Sequence, residues 1–176
     1  MISHQQRNGF SLVEVVVSIF IVGLLFVASL TAVSSSRAAQ ISLADRSRGH
    51  QLAAGLMSEI LAMPYTDPYW KSGMGPGADE VATGNRSLFD DVDDYLSWSA
   101  SPPQQRDGTT ISGFAGWTRT VNVKWIDPAN PASVATPANG AKRITITIQQ
   151  RDGRVVAQIT TIRTEAYTSL ISGEGL

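Results

Sequence analysis

Hydrophobic and polar positions divide the chain into stretches of different period. Residues 10–33 are almost uninterruptedly apolar, broken only by a few hydroxyl side chains, one glycine and a single carboxylate, Glu14. About 20 apolar residues cross a bilayer as a helix, and this run is long enough. Residues 34–63 change character but keep a helix-forming composition, with no proline before Pro64. Leu52, Leu56, Ile60 and Met63 recur every three or four positions, which puts them on one helix face. Around Asp45, Arg46 and Arg48 the chain is polar on nearly every side. The pattern predicts one long helix over residues 10–63, stopped by Pro64. Its first half would span a membrane, and its Leu52 stripe would seat a small sheet.

Residues 64–112 are rich in glycine, proline, asparagine and aspartate and read as a long irregular loop. From 113 onward the period becomes two. Trp117, Val121, Val123 and Trp125 alternate with Thr118, Thr120, Asn122 and Lys124, and Arg119 interrupts the apolar side, so it is expected at an edge. Ile144, Ile146 and Ile148 alternate with Thr145 and Thr147. Asp152-Gly153 marks a tight hairpin before "VVAQITTIRT". "DPANPASVATPANG" reads as a loop. The expected fold is α+β: three antiparallel strands over the second half of the helix, within residues 113–176.

Composition narrows the function classes. A net charge of −1 gives no bulk attraction to nucleic acid, and no such partner is expected. The chain has no cysteine, which excludes disulfides and thiolate chemistry. Its histidines, His4 and His50, lie in the leader and on the stalk, leaving the globular part without a base for a Ser-His-Asp arrangement. "GMGPG" and "GTTISGFAG" lack the lysine of a phosphate loop. No enzyme is expected. The leader, residues 1–9, carries Arg7, which favours a cytoplasmic N-terminus. The apolar core is longer than that of a cleaved secretory signal, so it should be retained as an anchor.

A carboxylate at the centre of a membrane helix costs about 2.5–3.5 kcal/mol on insertion scales, and less near an end, where it can snorkel. The residues around Glu14 offer another account. "GFSLVEVVVSI" resembles the type IV prepilin signature: a short basic leader ending in glycine, then phenylalanine, then an apolar stretch with glutamate at its fifth position. The resemblance covers about the first third of the chain. It implies cleavage between Gly9 and Phe10 by a membrane prepilin peptidase, and N-methylation of Phe10. It also implies pairing of Glu14 with the N-terminal amine of a neighbouring subunit, so that two charges costly in hydrocarbon meet. A glycine before the cut lets the peptidase approach the scissile carbonyl.

By the same resemblance, the protein would be a subunit of a type IV pilus or a type II secretion pseudopilus. It would sit in a bacterial inner membrane with its C-terminal domain exported until assembly into a filament. Its partners would be other pilin or pseudopilin subunits, the peptidase, an inner-membrane assembly platform and the bilayer. "SLVEVVVSIFIVG" resembles minor pseudopilins and pilus-modification pilins, which points to a minor subunit. The alternative is a single-span anchored module that binds calcium or another ligand without polymerising.

One further cluster carries possible chemistry. In "LFDDVDDYLSW", Asp90, Asp91, Asp93 and Asp94 could supply oxygens to calcium, as a loop does in some pseudopilins. The glycine and terminal glutamate of an EF-hand are missing. Phe89, Val92, Tyr95 and Trp98 recur every third residue, which predicts a short helical turn with its apolar side down. The competing reading is a solvated acidic turn. No other cofactor is expected.

Overall fold

The computed structural model describes residues 9, 11–69, 74–81, 84–135 and 140–165. The chain forms two compact units, Met1–Ala44 and Asp45–Leu176, and one helix, α1 (Leu12–Leu61), contributes to both. In the first unit the apolar side chains, Phe20, Leu24 and Phe26 among them, are exposed. The hydroxyls of Ser18, Ser29, Thr31 and Ser34 donate to carbonyls four residues back, at 2.7–3.0 Å. These polar groups are thus satisfied inside the helix without water. The helix is long and apolar enough to cross a membrane.

The second unit is a helix-on-sheet layer. Strands β1 (Ser99–Ala100), β2 (Thr118–Asp127), β3 (Asn130–Val134), β4 (Ala141–Gln149) and β5 (Val155–Thr164) form an antiparallel sheet. The order is β1-β2-β4-β5, with β3 paired to β2. Register aligns Val121 with Ile146 and Ile159, and Val123 with Ile144 and Thr161. This row packs on Leu52, Leu56 and Ile60 of α1, the expected stripe, with Met63 at its margin. Each such burial is worth about 1.5–3 kcal/mol.

The α+β layout and the three long strands are as expected, and the differences have physical reasons. Helix α1 stops at Leu61, short of Pro64, where Arg163 of β5 donates to the carbonyls of Ile60 (3.4 Å) and Leu61 (2.8 Å). A cation there satisfies carbonyls that have no helical partner and opposes the negative end of the helix dipole. Strand β3 lies inside the stretch expected to be a loop. It is exposed along its length and carries Pro131, a residue tolerated at sheet edges. Arg119 is buried within the core, not at its edge. It donates to the Leu52 carbonyl (3.4 Å) and to the Gln104 carbonyl.

The segment before the sheet is fastened to the helix by a second charged contact. Buried Arg86 reaches Glu59 of α1 with two parallel bonds, Nε to Oε1 at 2.9 Å and Nη2 to Oε2 at 3.0 Å. Tyr95 donates to the same carboxylate at 3.0 Å. The Arg86 guanidinium lies 4.1 Å from the centroid of Trp98. Burial pushes the Glu59 pKa up, but the bonds and charge of Arg86, with the Tyr95 hydroxyl, outweigh it and leave Glu59 below the usual carboxylate range. Burial and the nearby charge of Arg86 lower Arg119 to about 10.

Helix and sheet pack closely at Gly49. A Cβ there would lie 2.8 Å from Val156 Cγ2 and 3.2 Å from the Ala157 Cβ, whereas one at Gly55 would meet nothing within 4 Å. Gly55→Ala should therefore stabilise the domain by about 0.5–1 kcal/mol through helix propensity. Gly49→Ala should lose that gain to overpacking of about 1–3 kcal/mol. Chemical denaturation of both variants checks this: Gly49→Ala should have the lower midpoint, and equal stabilisation by both would remove the close-contact argument.

Candidate processing site and acidic turn

Ser11 and Glu14 stand at the start of α1 with the spacing of a capping box, and Glu14 falls in the first helical turn. A side chain there stands at the positive end of the helix dipole. Ser18 donates to the Glu14 carbonyl at 2.7 Å, and the Val15 N–H donates to the Ser11 carbonyl at 3.2 Å. Gly9 is exposed, with open space around its Cα. Phe10 lies outside the described residues. Around Glu14 the apolar side chains of Leu12, Val13, Val16 and Val17 are all exposed.

The acidic turn is folded inward. Asp93–Tyr95 form a short 3-10 helix, and Phe89, Val92 and Tyr95 point into the core, with Trp98 against it. The predicted apolar side of the turn is therefore present. The carboxylates are not a solvated rim, because Asp91, Asp93 and Asp94 are all buried. Nor do the four aspartates converge on one point. Asp91 Oδ1 accepts from its own turn, from the Asp93 N–H and from the Asp94 N–H at 3.2 Å. Asp93 faces Lys142 of β4, whose Nζ is 2.8 Å from Oδ1.

Asp94 Oδ2 accepts the N–H groups of Asp90 (2.8 Å) and Asp91 (3.0 Å). Its carboxylate oxygens also lie with those of Asp90 and Glu80 in a group whose members are within 4.8 Å of one another. Among the described residues this is the set close enough to hold a metal ion. Glu80 was not anticipated from sequence. It lies ten residues from Asp90, in a glycine-rich stretch, and is brought over as its carboxylate accepts the Gly77 N–H.

Burial raises the pKa values of these carboxyls. Burial, with the charges of Asp93 and Asp94, pushes Asp91 up to about 7. Burial raises Asp93 despite Lys142, and burial raises Asp94 despite two backbone N–H bonds. Between the unfolded value of 3.8 and about 7, folded Asp91 holds a proton that the unfolded chain has released. Its contribution is thus fully present below the unfolded pKa and is lost as pH rises through about 7. In calcium-free buffer the melting temperature should fall from about pH 5 to about pH 8, and Asp91→Asn should flatten the slope. A melting curve that rises over this range would contradict the buried-carboxyl assignment.

No curated protein and no solved structure matches the chain. A family match is found over residues 4–30, described as the prokaryotic N-terminal methylation motif. That span contains Gly9, Phe10 and Glu14 and runs into the exposed apolar part of α1. The chain therefore carries a prepilin-type N-terminus at the head of a membrane-length helix, consistent with a pilin-like or pseudopilin-like protein.

Proposed function

We propose that the protein is a structural, non-enzymatic subunit of a type IV pilus or type II secretion pseudopilus. Cleavage falls between Gly9 and Phe10, and Phe10 becomes the N-methylated first residue. Before assembly the chain waits in a bacterial inner membrane with its N-terminus cytoplasmic and its sheet domain exported. Assembly then packs α1 against the same helix of other subunits, driven by an inner-membrane platform. The observation that carries this reading is the methylation motif placed directly on an apolar helix with a single carboxylate in its first turn. Cleavage creates a cationic amine where the helix dipole already disfavours it, and a neighbour's Glu14 neutralises it. A minor subunit is favoured over a major one by the likeness of "SLVEVVVSIFIVG" to minor pseudopilins and pilus-modification pilins.

Processing and pairing are tested in one experiment. Intact-mass measurement of native protein should give a chain beginning at N-methylated Phe10, and Glu14→Ala should insert normally yet be depleted from sheared filaments. Retention of residues 1–9 in mature material would favour an anchored module that does not polymerise. Normal incorporation of Glu14→Ala would remove the pairing argument.

The grouping of Glu80, Asp90 and Asp94 favours a second property, compatible with either architecture. Three carboxylates suit calcium, a hard cation that takes oxygen ligands. The same group is also held without metal, since Glu80 shares a hydrogen bond with Asp94. Calcium added to chelator-treated protein should raise the melting temperature, and Glu80→Gln should abolish the rise. An identical melt with and without calcium would leave a proton, not a metal, between these groups.

A further inference from the structure

The chain has no cysteine, so nothing in it can form the usual covalent staple. One buried pair has the composition of a different one. Lys142 is fully buried at the start of β4, and Asp93 is buried in the 3-10 turn, 49 residues earlier in the chain. The lysine Nζ lies 2.8 Å from Asp93 Oδ1. Yet Oδ1 accepts no hydrogen bond among the described residues, while Nζ donates to the Tyr65 carbonyl. The amine and carboxyl are therefore in contact off the hydrogen-bonding line. The Tyr65 and Trp125 rings wall the amine, their centroids 4.2 and 4.6 Å from Nζ, and the Tyr65 hydroxyl is also buried without a partner.

A buried polar atom left unsatisfied is uncommon and calls for a physical explanation. Keeping both charges in this enclosure costs desolvation that an ion pair recovers only with good geometry and further hydrogen bonds. An amide between the two side chains removes both charges. It also retains an N–H for the bond to the Tyr65 carbonyl.

We propose that Lys142 and Asp93 close an intramolecular isopeptide bond, tying β4 covalently to the turn below the sheet. The ammonium proton passes to the Asp93 carboxylate, giving a neutral amine beside a neutral acid. Nζ attacks Cγ, and the Nζ–Cγ bond forms as the carbonyl electron pair moves onto oxygen. The Cγ–Oδ bond of the protonated oxygen then breaks, and that hydroxyl leaves as water with a proton from nitrogen. No oxidant or other reactant is consumed. The inference stands on the pocket alone and is independent of filament assembly.

The test uses the full chain, made in a host without prepilin peptidase and purified in detergent, with folding checked by a cooperative melt. Wild-type protein should be lighter than its encoded mass by one water. Trypsin should leave a branched peptide joining the segments of Asp93 and Lys142, uncut after Lys142. Asp93→Asn should lose ammonia in place of water and arrive at the same mass as the linked wild type. Asp93→Ala should keep its encoded mass and be cut after Lys142. The proposal is overturned by folded wild-type protein at its full encoded mass, or by a tryptic end at Lys142. It is equally overturned if the lost water maps to a succinimide at Asp107-Gly108 or Asp152-Gly153.

Discussion

One helix has to satisfy two kinds of surroundings, and the remaining features adjust to that demand. Up to Val33 its side chains are almost all apolar and uncovered, a composition stable in hydrocarbon and costly in water. From Asp45 the same helix offers one face, Leu52, Ala53, Leu56, Met57 and Ile60, to a sheet. The sheet contributes the matching rows from β2, β4 and β5. Charged side chains then fix the margins of this contact. Arg163 closes the helix end, Arg86 grips Glu59, and Asp45 accepts from Gln150 at 2.8 Å where the β4–β5 hairpin meets the helix.

Much of this was legible because it is periodic. A 3.6-residue stripe and three runs of period two locate helix, strands and core without knowledge of what they touch. The same rule misplaces residues that break the pattern for distant reasons. Arg119 and Lys142 occupy inward positions of β2 and β4, where alternation alone puts apolar groups. Their partners, the Gln104 and Tyr65 carbonyls and Asp93, are far away in sequence and invisible to a local window. β3 was missed because proline and asparagine are turn residues by propensity, and an edge strand needs only one satisfied side.

The two candidate sites differ in the same way. The N-terminal signature is linear, so Gly9, Phe10 and Glu14 could be singled out by their resemblance to a family motif that a match over residues 4–30 also covers. The acidic turn is a product of folding. Four aspartates within five residues suggested one ligand set, whereas the fold gives Asp91 to its own backbone, Asp93 to Lys142, and Asp94 to Asp90 and Glu80. Adjacent residues of a 3-10 turn point about 120° apart, so neighbours in sequence need not converge.

Arg163 has a consequence for how the molecule comes into being. The residue that finishes the helix is held in the last strand, 102 positions after the Leu61 carbonyl that it caps. Contacts of such separation form only after a large loop has closed. During synthesis the anchor emerges long before the strand that completes its partner layer. The nascent domain must therefore remain open, its leucine stripe uncovered, until β5 has been made.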